Sequence, residues 1–234
     1  MVNQDKQLAD SGAAATGQAL QPERNLVLTY VPAPRRPAIA ALFALDDTLA
    51  EILRTTSEPA IGQMRLTWWH EALGKLDSGP PPAQPVLQAV ARDLLPLGVR
   101  GVDAATMIDG WDVLIEESTL DSTALRRFGE GRGAALFGLA ARALGGASDL
   151  EMVRLAGSGW ALADLASGLS SPAEAEEARS QALAHLRQAL AQRWPSPLRP
   201  LGMLAHFALL DMGQVPPGSP RRLARVLWHR LTGR

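Results

Sequence analysis

Carboxylates at helical spacing are the first residues of this chain whose pattern could do chemistry. Asp47 and Glu51 stand four apart, and Asp109, Asp112 and Glu116 follow at steps of three and four. Side chains at these spacings share one helix face, within reach of a common divalent cation. Should the two acidic faces meet, several carboxylates would gather around one ion, and Asp164 is a further potential ligand. The plainer reading makes both lines solvated helix faces, with Glu51 paired to Arg54 in a contact worth only ~0.2–0.5 kcal/mol.

A second group could bind rather than react. Arg65 and Trp69 are four apart, so the guanidinium could stack on the indole, with Trp68 beside them. Arg65 would then meet an anionic ligand or a partner's carboxylate. Equally, the tryptophans could fill core and Arg65 make an internal ion pair, and both readings stay open. In the tail, Arg221, Arg222, Arg225, Arg230 and Arg234 surround Leu223, Val226, Leu227, Trp228 and Leu231 without an acid. Such a basic amphipathic helix with an interfacial tryptophan suits an anionic membrane or a protein partner. Otherwise the helix docks its apolar side on the domain. Gly129-Glu130-Gly131-Arg132-Gly133 lacks the strand and lysine of a phosphate loop, so its glycines are read as allowing close helix contact. His70 reads as an exposed helix residue and Trp111 as a packing anchor.

The elements that must position these residues are helices. Ala38, Leu42, Leu45, Leu49 and Ile52 recur at steps of four and three, the apolar stripe of an amphipathic helix starting after Pro37. Proline and glycine clusters separate further helical segments, expected at about Ile61–Leu76, Pro85–Leu95, Asp103–Ser118, Ser122–Leu144, Leu150–Leu169, Ala173–Arg193, Leu198–Met212 and Arg221–Leu231. Asp121-Ser122 and Ser171-Pro172 are helix starts, and Gly145-Gly146 a stop. No period-two alternation marks a strand. One all-α domain over residues 21–234 is predicted, with a basic C-terminal helix at 219–234 and a flexible end over residues 1–20.

Bulk properties narrow the function classes. A hydrophobic share of 47% over 234 residues allows one large core. The net charge of −1 gives no field to attract nucleic acid. The absence of cysteine excludes disulfides, thiolate metal sites and cysteine nucleophiles. No run approaches the roughly 18 apolar residues of a membrane span. A cytoplasmic protein is expected, peripheral on the inner membrane if the basic tail binds lipid.

Several of these residues also carry a resemblance. Pro22-Glu23-Arg24, Val31-Pro32-Ala33-Pro34-Arg35-Arg36-Pro37-Ala38 and Leu42-Phe43-Ala44-Leu45, followed by Ser57-Glu58-Pro59 and Arg65-Leu66-Thr67-Trp68-Trp69, resemble the squalene/phytoene synthase family. The S-E-P…R-L-x-W-W segment is similar to the branch containing the mitochondrial complex I assembly factor. Weaker likeness runs through Met107–Leu114, Phe128–Gly145 and Gly159–Leu165 to about residue 212. The resemblance implies an isoprenoid-synthase helical bundle. It also implies condensation of two prenyl diphosphates, with Mg²⁺ bridging the diphosphates to aspartates on two helices.

This chain departs from both aspartate motifs. Ala50, Glu51 and Arg54 stand where the first motif's carboxylates would be. Ala161 to Gly168 stands in the second, where Asp164 alone could ligate, and the downstream G-R-x-Y-L-P segment is missing. The reading is therefore a non-catalytic binding protein needing no cofactor, which the resemblance associates with respiratory-complex assembly at a membrane surface. Arg65, Trp68 and Trp69 would make its contacts, with Arg221, Arg222, Arg225, Trp228 and Arg230 on a membrane or partner. The alternatives are a Mg²⁺-dependent prenyltransferase using Asp47, Glu51, Asp109, Asp112, Glu116 and Asp164, or a protein that holds a lipid or isoprenoid without chemistry.

Overall fold

The computed structural model describes residues 22–234, and the flexible end expected over residues 1–20 lies outside them. Among the described residues every regular element is helical. Helix α1 covers residues 22–30, before the proline-rich turn. Then come α2 (Arg36–Thr55), α3 (Pro59–Lys75), α4 (Pro85–Ala89, running into a wider-wound turn at Val90–Leu94), α5 (Gly101–Ala105) and α6 (Met107–Glu116). The second half holds α7 (Ser122–Phe128), joined through a π-helical segment Gly129–Ala134 to α8 (Ala135–Ala143), then α9 (Glu151–Gly168), α10 (Pro172–Leu190), α11 (Arg199–Met212) and α12 (Pro220–Thr232).

The predicted starts and stops act as expected. Asp121 accepts hydrogen bonds from the Thr123 and Ala124 amides, and Ser171 accepts from Glu174, with Pro172 following as the first helical residue. Gly145, at φ +79°, ends the α8 segment in the left-handed conformation that glycine adopts without strain. Two boundaries differ. The expected Asp103–Ser118 helix is broken by a turn at Thr106 into α5 and α6, and the unexpected α1 precedes Pro32.

Helix α9 is the axis of the bundle. Every residue from Leu155 to Leu162 is buried, including Trp160, so this helix is enclosed on all sides. It packs on α10, α11, α8 and the π-helical segment. The α2 stripe of Ala38, Leu42, Leu45, Leu49 and Ile52 is wholly buried, as its periodicity predicts.

Two backbone crossings set the spacing between helices. A Cβ added to Gly131 would fall 2.5 Å from the Gly110 amide nitrogen of α6, and one added to Gly133 would fall 2.0 Å from the Gly157 carbonyl of α9. The glycines of Gly129–Gly133 thus do serve close helix contact. Between the two crossings, Arg132 is held facing inward.

Candidate functional site

Where α1, α2, the π-helical segment and α9 meet, a charged cluster forms whose centre, Asp46, Arg132 and Arg24, is sealed from solvent. Asp46 lies four residues after Leu42 and three before Leu49, hence on the apolar stripe, and is fully buried. Arg132 spans two helices: Nε and Nη2 donate to Asp46 Oδ1 and Oδ2 at 2.9 and 3.0 Å, while Nη1 donates to Asp164 Oδ2 at 2.6 Å. Arg24 donates from Nη2 to Asp46 Oδ2 at 2.9 Å and from Nη1 to Asp47 Oδ1 at 2.6 Å. Aromatic faces complete the walls. The Arg132 guanidinium sits 4.3 Å from the Trp111 ring and 4.9 Å from that of Trp160, and Arg24 lies over Phe43 and Trp160.

Burial alone would push the Asp46 carboxyl up, but Arg132 and then Arg24 outweigh it and hold the group below its usual range. Burial likewise disfavours the Arg132 cation, and Asp46 and Asp164 outweigh it, raising the pKa further. Asp46 is therefore ionised at neutral pH with both oxygens taken by guanidinium donors. These residues do not fit Mg²⁺: a divalent ion would have to displace Arg132 and Arg24 into a protein interior. Ala50 offers no ligand, and Glu51 accepts from Arg54 at 2.6 Å. What the chain does instead is cross-link α2 to α9 with a guanidinium.

The carboxylates singled out from sequence disperse. Asp47 and Asp164 edge the buried cluster as arginine partners, and Glu51 pairs with Arg54. Asp109 is exposed, and Glu116 shares Arg127 with Glu117 on the surface. Asp112 is half-buried with Oδ1 lacking a partner; burial, Glu116 and Asp109 raise its pKa against a smaller opposing effect of His70. Among the described residues no three acidic or histidine side chains are grouped to hold a metal.

The α3 residues divide by face. Trp69 is buried and meets Trp68 edge-to-face at 5.4 Å, while Trp68 is 47% exposed. Arg65 donates to Thr56 Oγ1 at 2.8 Å and to Thr55 Oγ1 at 3.3 Å, instead of stacking on Trp69. Asp47, Glu51, Arg54, Arg65 and Trp69 nevertheless line one shallow cleft of about 480 Å³ between α2 and α3.

A larger pocket of about 750 Å³ opens beyond Asp164, lined by Leu26, Trp160, Phe207, Ala208 and Met212. Its polar edge corrects the reading of the tail. Arg222, expected on a membrane or partner, is buried and pairs with Glu23 of α1 and, at 2.5 Å, with Asp211 of α11. The reason is register: Arg222, Val226 and His229, at steps of four and three, form the face that α12 turns inward.

Burial and then Asp211 push the Glu23 carboxyl up to about 7, despite the opposing pull of Arg222. Glu23 therefore adds stability that is complete below its ordinary value of 4.5 and lost as pH rises through about 7. Glu23→Gln, which cannot ionise, is expected to flatten the fall in melting temperature between roughly pH 5 and pH 8. Thermal melts across that range check this; parallel slopes for variant and wild type would contradict it.

The described residues thus form an all-α isoprenoid-synthase-type bundle whose carboxylate helices are joined by arginine. A family model describing squalene/phytoene synthases matches residues 19–169, more than half of the chain. The chain belongs to the squalene/phytoene synthase family. No curated protein and no solved structure matches it.

Sequence reasoning passed over Arg24, Asp46 and Arg132. Asp46 had a readable signal, a carboxylate within an otherwise apolar stripe. Arg132 had a weaker one, a lone cation among glycines inside a helical run.

Proposed function

We propose that this protein acts by binding rather than by prenyl transfer, and that it serves the building of a respiratory complex at a membrane surface. The carrying observation for the first part is the Arg132 bridge. It occupies both oxygens of Asp46 on α2 and one of Asp164 on α9, the helices from which the family's catalysts offer metal ligands. With Mg²⁺ and farnesyl or geranylgeranyl diphosphate, the expected result is diphosphate release no faster than the protein-free blank. Release above the blank would overturn the reading.

The second part rests on the likeness of the S-E-P…W-W segment to the assembly-factor branch, and on the surface that segment forms. Ile61, Met64 and Trp68 line one edge of α3 and are 45%, 71% and 47% exposed. Three large apolar side chains in a row suit a protein partner. Tagged protein is expected to capture respiratory-chain subunits, with capture falling on Met64→Ala/Trp68→Ala. Normal respiration in a deletion strain, with no such subunits captured, would defeat this part.

The pocket beside Asp164 supports a further reading, the holding of a lipid or quinone. Its apolar wall of Leu26, Trp160, Phe207, Ala208 and Met212 favours an isoprenoid-like chain. Mass spectrometry of the purified protein would identify such a ligand directly.

A further inference from the structure

On the opposite side of α11, a separate pocket of about 610 Å³ lies between the end of α10 and the start of α12. Its charged lining is Arg187, Arg221 and Arg225, and no acidic residue contributes. Arg222 of the same helix is committed to Glu23 and Asp211, whereas Arg187, Arg221 and Arg225 make no ion pair among the described residues. The floor is apolar, from Leu190, Leu209 and Leu210. His206 also contributes, 2% exposed and with its buried Nε2 lacking any hydrogen-bond partner.

Arg221 and Arg225 are one turn apart on α12 with Ala224 between them, and Trp228 follows a turn later. The pocket rim therefore runs onto the outer face of α12. Because Arg222, Val226 and His229 face inward, the large apolar side chains are left outside. Leu223, Leu227, Trp228 and Leu231 are 45%, 43%, 57% and 75% exposed. A soluble helix docked on a core would place its leucines the other way.

We propose that this face of α10 and α12 is a docking surface for an anionic phospholipid bilayer, with a lipid phosphate seated among Arg187, Arg221 and Arg225. Guanidinium forks match phosphate oxygens, and three of them around one pocket with no acid among them suit a single phosphate. Leu227, Trp228 and Leu231 enter the acyl boundary, with the tryptophan at the headgroup level where an apolar ring carrying one polar edge is favoured. The inference rests on the membrane-surface part of the function proposed above and not on the loss of catalysis.

The full chain is mixed with vesicles of phosphatidylcholine alone, or of phosphatidylcholine with phosphatidylglycerol, and binding is read by flotation. Binding is expected only with phosphatidylglycerol, together with a blue shift in tryptophan emission that Trp228→Phe removes. Removing two charges by Arg187→Gln/Arg225→Gln should cut partitioning roughly 25-fold, about fivefold per charge. Arg92→Gln/Arg126→Gln removes the same charge from exposed positions on the wider-wound turn after α4 and on α7, and should leave most binding intact. All four sites are at the surface or its edge, so melting temperatures are expected to stay near wild type.

Equal binding to both vesicle compositions, equal loss in the two double variants, or saturable binding of inorganic phosphate without flotation would each overturn the proposal. Lipid binding lost in Arg187→Gln/Arg225→Gln while the deletion strain respires normally keeps this surface and removes the assembly role. Absence of flotation with a respiratory defect on deletion does the reverse.

Discussion

Arg132→Met is expected to lower the melting temperature by on the order of 10 °C, from a loss of ~3–5 kcal/mol. Methionine fills much of the space between the Trp111 and Trp160 rings but donates no hydrogen bond. Asp46 Oδ1 then has no donor in a fully buried site, and Asp164 loses its contact to the π-helical segment. The large effect comes from the stranded carboxylate and not from the net worth of the bridge. The double replacement Asp46→Leu/Arg132→Met should therefore lose markedly less than the two single changes added together. Arg132→Lys separates charge from shape. One ammonium cannot serve both Asp46 oxygens and Asp164 from that position, so lysine should recover only a minor share of the stability. Thermal and denaturant melts compare the four variants, Asp46→Leu alone included, with wild type. Strict additivity, or a lysine variant as stable as wild type, would show that the guanidinium is not acting as a cross-link between α2 and α9.

The helices were legible because their stripes and punctuation are local. Ala38 to Ile52 follow the period of a buried face, and Ser171-Pro172 and Gly145 act through their own backbones. The break at Thr106 was not legible, since residues on both sides share one helical pattern and the turn is imposed where α5 packs on α3. The charged site was the hardest to read. Its members come from residues 24, 46, 132 and 164, and an arginine 86 positions from its carboxylate carries no mark of that partner. Helical spacing alone also brings forward Asp109, Asp112 and Glu116, whose regularity reflects the largely exposed face that the plainer reading expects. Asp46 carries the better signal of the adjacent pair, since it and not Asp47 falls on the apolar stripe. Arg222 escaped for a related reason: the tail's apolar and basic residues allow two inward faces, and Glu23 and Asp211 select the one containing Arg222.

The same dependence on geometry makes Gly133→Ala the second large effect, although it adds one methyl group. The new Cβ would meet the Gly157 carbonyl oxygen at 2.0 Å, its carbon at 2.5 Å and the Ala161 Cβ at 2.7 Å. Two of these are backbone atoms in the middle of α9, so no rotamer change relieves the clash, and α9 has to move away from the π-helical segment. That movement pulls Asp164 and Trp160 from Arg132, so the methyl group disturbs both the packing and the ion cluster at once. A drop of more than about 10 °C in melting temperature, or loss of soluble protein, is expected from a strain above ~3 kcal/mol. Gly138→Ala on α8 is the control. There the added methyl meets nothing closer than the Ser148 carbonyl at 3.6 Å, and the better helix former should stabilise by ~0.5–1 kcal/mol. Gly133→Ala/Gly157→Ala adds a further discriminant. Once the first methyl has forced the crossing apart, the second finds space already opened, so the pair should lose less than the sum of its parts. If Gly133→Ala instead melted like Gly138→Ala, the crossing would be loose enough to admit a side chain, and it could not be what holds Arg132 between Asp46 and Asp164.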